Sequence, residues 1–205
     1  MAKSARRKVK IIKYPALDLS RDNLIGYKIG GHYNGTDMFE EKGELPECPE
    51  CHYRLDFQAH NPLYRQGRKR RSDLLGTYDG QGIVTKLFHD FCKEQDYANV
   101  RLLEFTNDPD HFHLVVDEPV LKLDIERMRI RFLNRCPACG NYEEILGPYP
   151  LRIMRSDVLP DGFYRSDLVF GGFSRKHPLI IIGLETGEKM EAGLKGIIFH
   201  GVYGR

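Results

Sequence analysis

Apolar and polar residues alternate along several stretches of the chain and recur at helical spacing in others. Three stretches predict strands: "VRLLEF" at 100–105, "FHLVVD" at 112–117 and "MRIRFL" at 128–133. In the last, Met128, Ile130 and Phe132 share one face while Arg129 and Arg131 share the other. Ile83, Val84, Leu87, Phe88, Phe91 and Cys92 fall at helical spacing and predict a helix beginning near Asp79, with Asp79 and Gly80 supplying its start. "VKIIKY" predicts a first strand, and "YRLDF" at 53–57 a short one. From Leu19 to Gly35 the pattern is irregular and rich in Gly, Asn and Asp, which reads as loops around short strands. "NPLYRQGRKRRSD" reads as an exposed loop.

The last third has its own order. "LIIIG" is a strand, "ETGEKMEAG" a short helix and "GIIFHGVY" a closing strand, a βαβ-like piece set against a mixed sheet. The expected class is therefore α+β: a mixed β-sheet with few short helices. "GPYP" at 147–150 interrupts both helix and strand and marks a boundary. It divides a basic tail at 1–10 and a region at 11–147 from a strand–helix–strand region at 148–205, the last expected to pack as one unit with the region before it. Arg-Ser-Asp begins at Arg71, Arg155 and Arg165 without wider self-similarity, and reads as turn and cap usage.

Composition narrows the function classes. A hydrophobic fraction of 41% over 205 residues excludes global disorder. A net charge of +2 is too small to indicate nucleic-acid binding by itself, but it is unevenly spread. Lys3, Arg6, Arg7, Lys8 and Lys10 open the chain, and Arg65, Arg68, Lys69, Arg70 and Arg71 crowd one loop. Between them run Asp37, Glu40, Glu41, Glu44, Glu47 and Glu50. No aromatic residue interleaves with "RKRR", so that loop offers no stacking platform for single strands. No secretion signal is evident and "LIIIG" is too short to span a bilayer, so a cytoplasmic protein without a membrane partner is expected.

That setting gives meaning to the cysteines, of which there are five. Cys48 and Cys51 form one CxxC, and Cys136 and Cys139 form another, each with proline after its first cysteine. In a reducing compartment two such pairs point to metal or redox chemistry sooner than to structural disulfides. Four thiolates at tetrahedral corners suit Zn²⁺, and Gly140 lets the backbone fold over the sulfurs. An iron–sulfur cluster and a thioredoxin-like redox pair stay open as alternatives. Four cysteines would fill the shell and leave no open position for catalysis. His52 is an alternative ligand to one thiolate. His111 and His113 could face one side of a strand but have no third partner in sequence, and His177 and His200 add nothing more. Cys92 lies on the apolar face of the expected helix and reads as a buried, inert thiol. No phosphate loop, nucleophile elbow or metalloprotease helix is present in the sequence, so no enzymatic turnover is expected.

The two knuckles are followed by "ILGPYPLRI", "GFYRSDLVFGGFSRKHPLIIIGLET" and "GLKGIIFHGVY". This combination resembles the double-CxxCG-motif family of myxobacterial paralogues, regarded as immunity proteins, and the wider superfamily of polymorphic-toxin immunity proteins. The resemblance covers the knuckles and roughly the last sixty residues, with His52 standing where the family motif has glycine. It implies a zinc-binding protein, with Cys48, Cys51, Cys136 and Cys139 as ligands, that neutralises a cognate toxin by direct binding. The alternative is a zinc-ribbon protein that binds nucleic acid through the basic tail and the 65–71 loop. Neither reading specifies an oligomeric state.

Overall fold

The computed structural model describes residues 24–39, 45–67, 71–147, 149–172 and 175–205. The expected strand "VKIIKY", the basic tail and the centre of the "RKRR" run lie outside these residues.

The architecture is α+β, with two sheets and three short helices among the described residues. The strands and helices run in the order β1 (Leu24–Gly30), β2 (His32–Tyr33), β3 (Leu74–Gly76), β4 (Gly82–Thr85), α1 (Lys86–Glu94), β5 (Val100–Phe105) and β6 (Asp108–Val116). They continue with β7 (Val120–Leu121), α2 (Ile125–Met128), β8 (Arg131–Arg135), β9 (Tyr142–Leu146) and β10 (Leu151–Arg152). β11 (Phe163–Gly172), β12 (His177–Ile182), α3 (Leu184–Gly193) and β13 (Ile198–Tyr203) complete the chain. The larger sheet has the order β10-β13-β1-β12-β11-β9-β8, with β7 also paired to β11, and the smaller has β2-β3-β4-β6-β5.

The C-terminal strand–helix–strand piece is present, with β1 inserted through it. β12 and β13 each pair antiparallel with β1, so they run parallel to one another on either side of it. β1 falls in the segment whose composition reads as loops. It is instead a seven-residue strand, with Ile25 and Ile29 buried, in the middle of the larger sheet. At Gly31 the chain leaves that sheet for the smaller one, and a Cβ there would stand 2.1 Å from the Leu74 carbonyl oxygen. Only glycine permits that approach.

Period-2 burial sorts the core into layers. Ile29, Leu74, Val84, Phe112, Leu114, Phe163 and Ile182, drawn from both sheets, pack with Phe88 and Met190 from α1 and α3. Ile25, Leu151, Ile153, Leu179, Ile181 and Val202 form a second cluster on the larger sheet. Met38, Tyr64, Leu75, Ile83 and Phe105 form a third on the smaller one. At about 25 cal/mol per Å² of apolar surface removed from water, such burial is the main stabilising contribution to both sheets.

Four expectations need correction. The helix begins at Lys86, not near Asp79: Ile83 and Val84 lie on a strand and enter different clusters. Thr85 is its cap, its hydroxyl accepting from the Phe88 amide at 3.4 Å. The strand expected over 128–133 is displaced to Arg131–Arg135, because Asp124 caps the turn of helix ending at Met128 and Arg129 adopts the left-handed region. "YRLDF" forms no strand; its one ladder contact is the isolated bridge between Arg54 and Glu47. The "NPLYRQG" part of the expected exposed loop buries Tyr64 and Gln66, and Ser72 beyond it is buried as well.

Candidate metal centre

The two cysteine segments fold into the same closed turn. In the first, the Cys48 amide donates to the Tyr53 carbonyl at 2.9 Å and the His52 amide to the Cys48 carbonyl at 2.8 Å. In the second, Cys136 donates to Asn141 at 2.8 Å and Gly140 to Cys136 at 2.9 Å. The residue after the second cysteine must take a positive φ, which is 56° at His52 and 74° at Gly140. His52 thus stands, at some conformational cost, where the second turn has Gly140. It is exposed and stands outside the group of four sulfurs.

Different elements carry the two turns. The second is the tip of the β8–β9 hairpin, closed by the pair Arg135↔Tyr142. The first is held by the Glu47–Arg54 bridge and by the Leu55 amide donating to Pro46 at 2.9 Å. They meet with all four Sγ atoms within 4.8 Å of one another. Cys48 Sγ lies 3.9 Å from Cys136 Sγ, and Cys51 Sγ lies 3.7 Å from Cys139 Sγ. A tetrahedron with metal–sulfur bonds of about 2.3 Å has edges of about 3.8 Å, so the donor set fits a tetrahedral thiophilic ion. All four thiols are free, and the separations are far beyond a disulfide bond of about 2.05 Å.

The local electrostatics favour a cation. The Cys139 amide, with help from that of Ala138, holds the Cys136 thiol down at about 7 against the effect of burial. The Cys51 and Glu50 amides likewise lower Cys48. Cys51 is pushed up to about 12, first by burial and then by neighbouring thiols. Crowded thiols resist ionising together unless a positive ion joins them.

Two features beside the centre have no signature in the sequence. Lys176, immediately before β12, is 1% exposed, and its Nζ lies 4.2 Å from the Tyr53 ring centroid. Asp79 is buried and accepts from Thr77 Oγ1 at 2.5 Å, from the Met38 amide at 3.0 Å and from the Phe39 amide at 3.2 Å. It also pairs with buried Arg54, the residue that bridges to Glu47, at 3.5 Å. A carboxylate expected to start a helix therefore anchors the loops beside the first knuckle.

The other candidates are dispersed. Cys92 is 4% exposed with its thiol pushed up to about 12 by burial, as an inert core thiol should be. His111 Nδ1 contacts Asp108 at 2.9 Å, and His113 Nε2 contacts Gln81 at 3.0 Å. Burial drives His113 down to about 3, so it is neutral near pH 7, and neither histidine belongs to the four-sulfur group. Arg65 and Arg71 are exposed, as is Glu50, while Glu47 is half-buried. No helix among the described residues is long and apolar enough to cross a membrane. No protein-family model matches the chain, and no curated protein matches it.

Proposed function

We propose that the chain is a zinc-binding immunity protein that neutralises a cognate toxin by direct binding, with a purely structural zinc held by Cys48, Cys51, Cys136 and Cys139. The supporting observation is the saturated donor set: four sulfurs at tetrahedral spacing leave no position for water or substrate. The ion would tie a loop with little regular pairing to a sheet hairpin. Rigid loops lose less conformational entropy on association, which suits a binding module. Exposed charges of both signs would steer encounter and reject wrong partners. The protein has no turnover of its own in this reading.

The test co-expresses a toxin encoded beside this protein's gene with the wild-type chain, then with variants neutralised across 37–50 or 65–71. Rescue by the wild type and its loss in one variant set would support the reading and locate the interface. No rescue, together with salt-dependent binding of generic RNA or DNA that weakens on neutralising 65–71, would favour the nucleic-acid alternative.

A further inference from the structure

A buried ammonium without a counter-ion is costly, and Lys176 is 1% exposed. Among the described residues no carboxylate forms an ion pair with it. Glu143 is close enough to contribute to its field, yet accepts instead from Asn134 Nδ2 at 2.5 Å. The remaining groups acting on Lys176 are sulfurs: burial lowers its proton affinity, while Cys51 and Cys139 raise it. Its surroundings connect to both knuckles, and the Arg175 amide before it donates to the Gly172 carbonyl at 3.0 Å. Tyr53, whose ring lies against the ammonium, closes the first knuckle through its carbonyl. On the other side, Gly171 and Gly172 at the end of β11 pair with Ile145 and Glu144 on β9, the strand that follows the second knuckle.

Four neutral thiols would offer this ammonium only weak dipoles. Four thiolates around a divalent ion carry a net charge of minus two and would offer it a strong field. We propose that Lys176 is the counter-cation of the metal–tetrathiolate centre, so that a residue at the start of β12 helps to set the metal affinity of knuckles distant from it in sequence. This rests on the metal-binding reading above. Lys176 is a positioning and charge-balancing residue, not a ligand.

The test measures Zn²⁺ and Co²⁺ affinity by competition with a chromophoric chelator for the full-length wild type, Lys176→Met and Lys176→Arg. Lys176→Met should lose about 10–100-fold in affinity, the usual effect of removing an outer partner of a metal site, while Lys176→Arg retains most of it. The thiolate-to-cobalt charge-transfer band should move to longer wavelength in Lys176→Met, because sulfur lone pairs rise in energy without the cation. Denaturation of the metal-free proteins supplies the control. There Lys176→Met should be no less stable than wild type, since it removes an uncompensated charge. Should Lys176→Met fail to fold, Lys176→Gln takes its place with the same expected ordering. Unchanged affinity in the neutral variants, or equal destabilisation with and without metal, would overturn the proposal and leave Lys176 a packing residue. A wild-type chain that binds neither ion overturns the metal-binding reading, whereas a wild type that binds tightly with unaltered Met and Gln variants overturns only the role of Lys176.

Discussion

The two knuckles have almost the same backbone hydrogen bonds and opposite supports. The second closes a hairpin whose pairs extend from Arg131↔Leu146 to Arg135↔Tyr142 at one end of the larger sheet. The first belongs to a segment with one isolated bridge and side-chain anchors. The sheet pairing supports the second knuckle independently of the four sulfurs. The first is anchored by the Asp79–Arg54 contacts, and a metal ion held by the four sulfurs would tie it to the second. The two sheets bring the ends of the long intervening chain together, so a metal ion at the four sulfurs would not bear that closure cost alone.

Metal removal should separate the halves most strongly. With metal a thousandfold above its Kd the loaded state gains about 4 kcal/mol, equivalent to about 8–16 °C in Tm for a chain of this size. Chelation, or Cys136→Ser, should remove that increment in a thermal melt. Hydrogen exchange should then show lost protection at the amides of Cys48, His52 and Leu55, with protection kept along β8 and β9. Equal loss in both regions would show that the hairpin also depends on the ion.

Asp79→Ala should come next. It strips the partner from buried Arg54 and removes the acceptor for the Met38 and Phe39 amides. Breaking a buried pair costs about 3–5 kcal/mol, readable as a lower guanidinium midpoint. Because the damage lies beside the first knuckle, metal affinity should fall too, which Asp79→Asn should restore in part.

Exchanging the left-handed residues sharpens the comparison. Gly140→Ala should cost about 1–2 kcal/mol from backbone strain, since the nearest atom to its new Cβ is the flexible Arg135 guanidinium at 3.4 Å. His52→Gly should be neutral or stabilising by up to about 1 kcal/mol, because glycine relieves the strain but gains entropy when unfolded. Chemical denaturation of the loaded protein measures both. If His52→Gly is clearly destabilising, the imidazole has a role at the first knuckle beyond its backbone. Smallest of all, Cys92→Ala should lower stability by about 1 kcal/mol and leave metal stoichiometry unchanged, checked by elemental analysis.

Much of the fold was legible from local pattern. The strands Val100–Phe105 and Asp108–Val116 were visible as apolar-rich alternating stretches, Leu179–Ile182 as a continuous apolar run, and "ETGEKMEAG" as a short helix that buries Thr186, Gly187 and Met190. The four cysteines that meet in one cluster could be named as candidate metal ligands because pairs at two-residue spacing carry their geometry with them. β1 was hidden because its glycines dilute the alternation, and its burial comes from pairing with β12 and β13, more than a hundred residues away. Ile83 and Val84 fit a helical pattern equally well until β3 and β6 pair on either side of them.

By itself, then, the amino-acid sequence determined which atoms can hold an ion and which segments can bury a face, because both depend on residues a few positions apart. Tertiary structure decided how the halves meet: that β1 passes between β12 and β13, that Asp79 anchors loops instead of capping a helix, and that Lys176 lies against Tyr53, whose carbonyl closes the first knuckle. Those outcomes depend on burial and charge compensation between residues far apart in the chain, and no local pattern encodes the electrostatic environment that a folded interior creates.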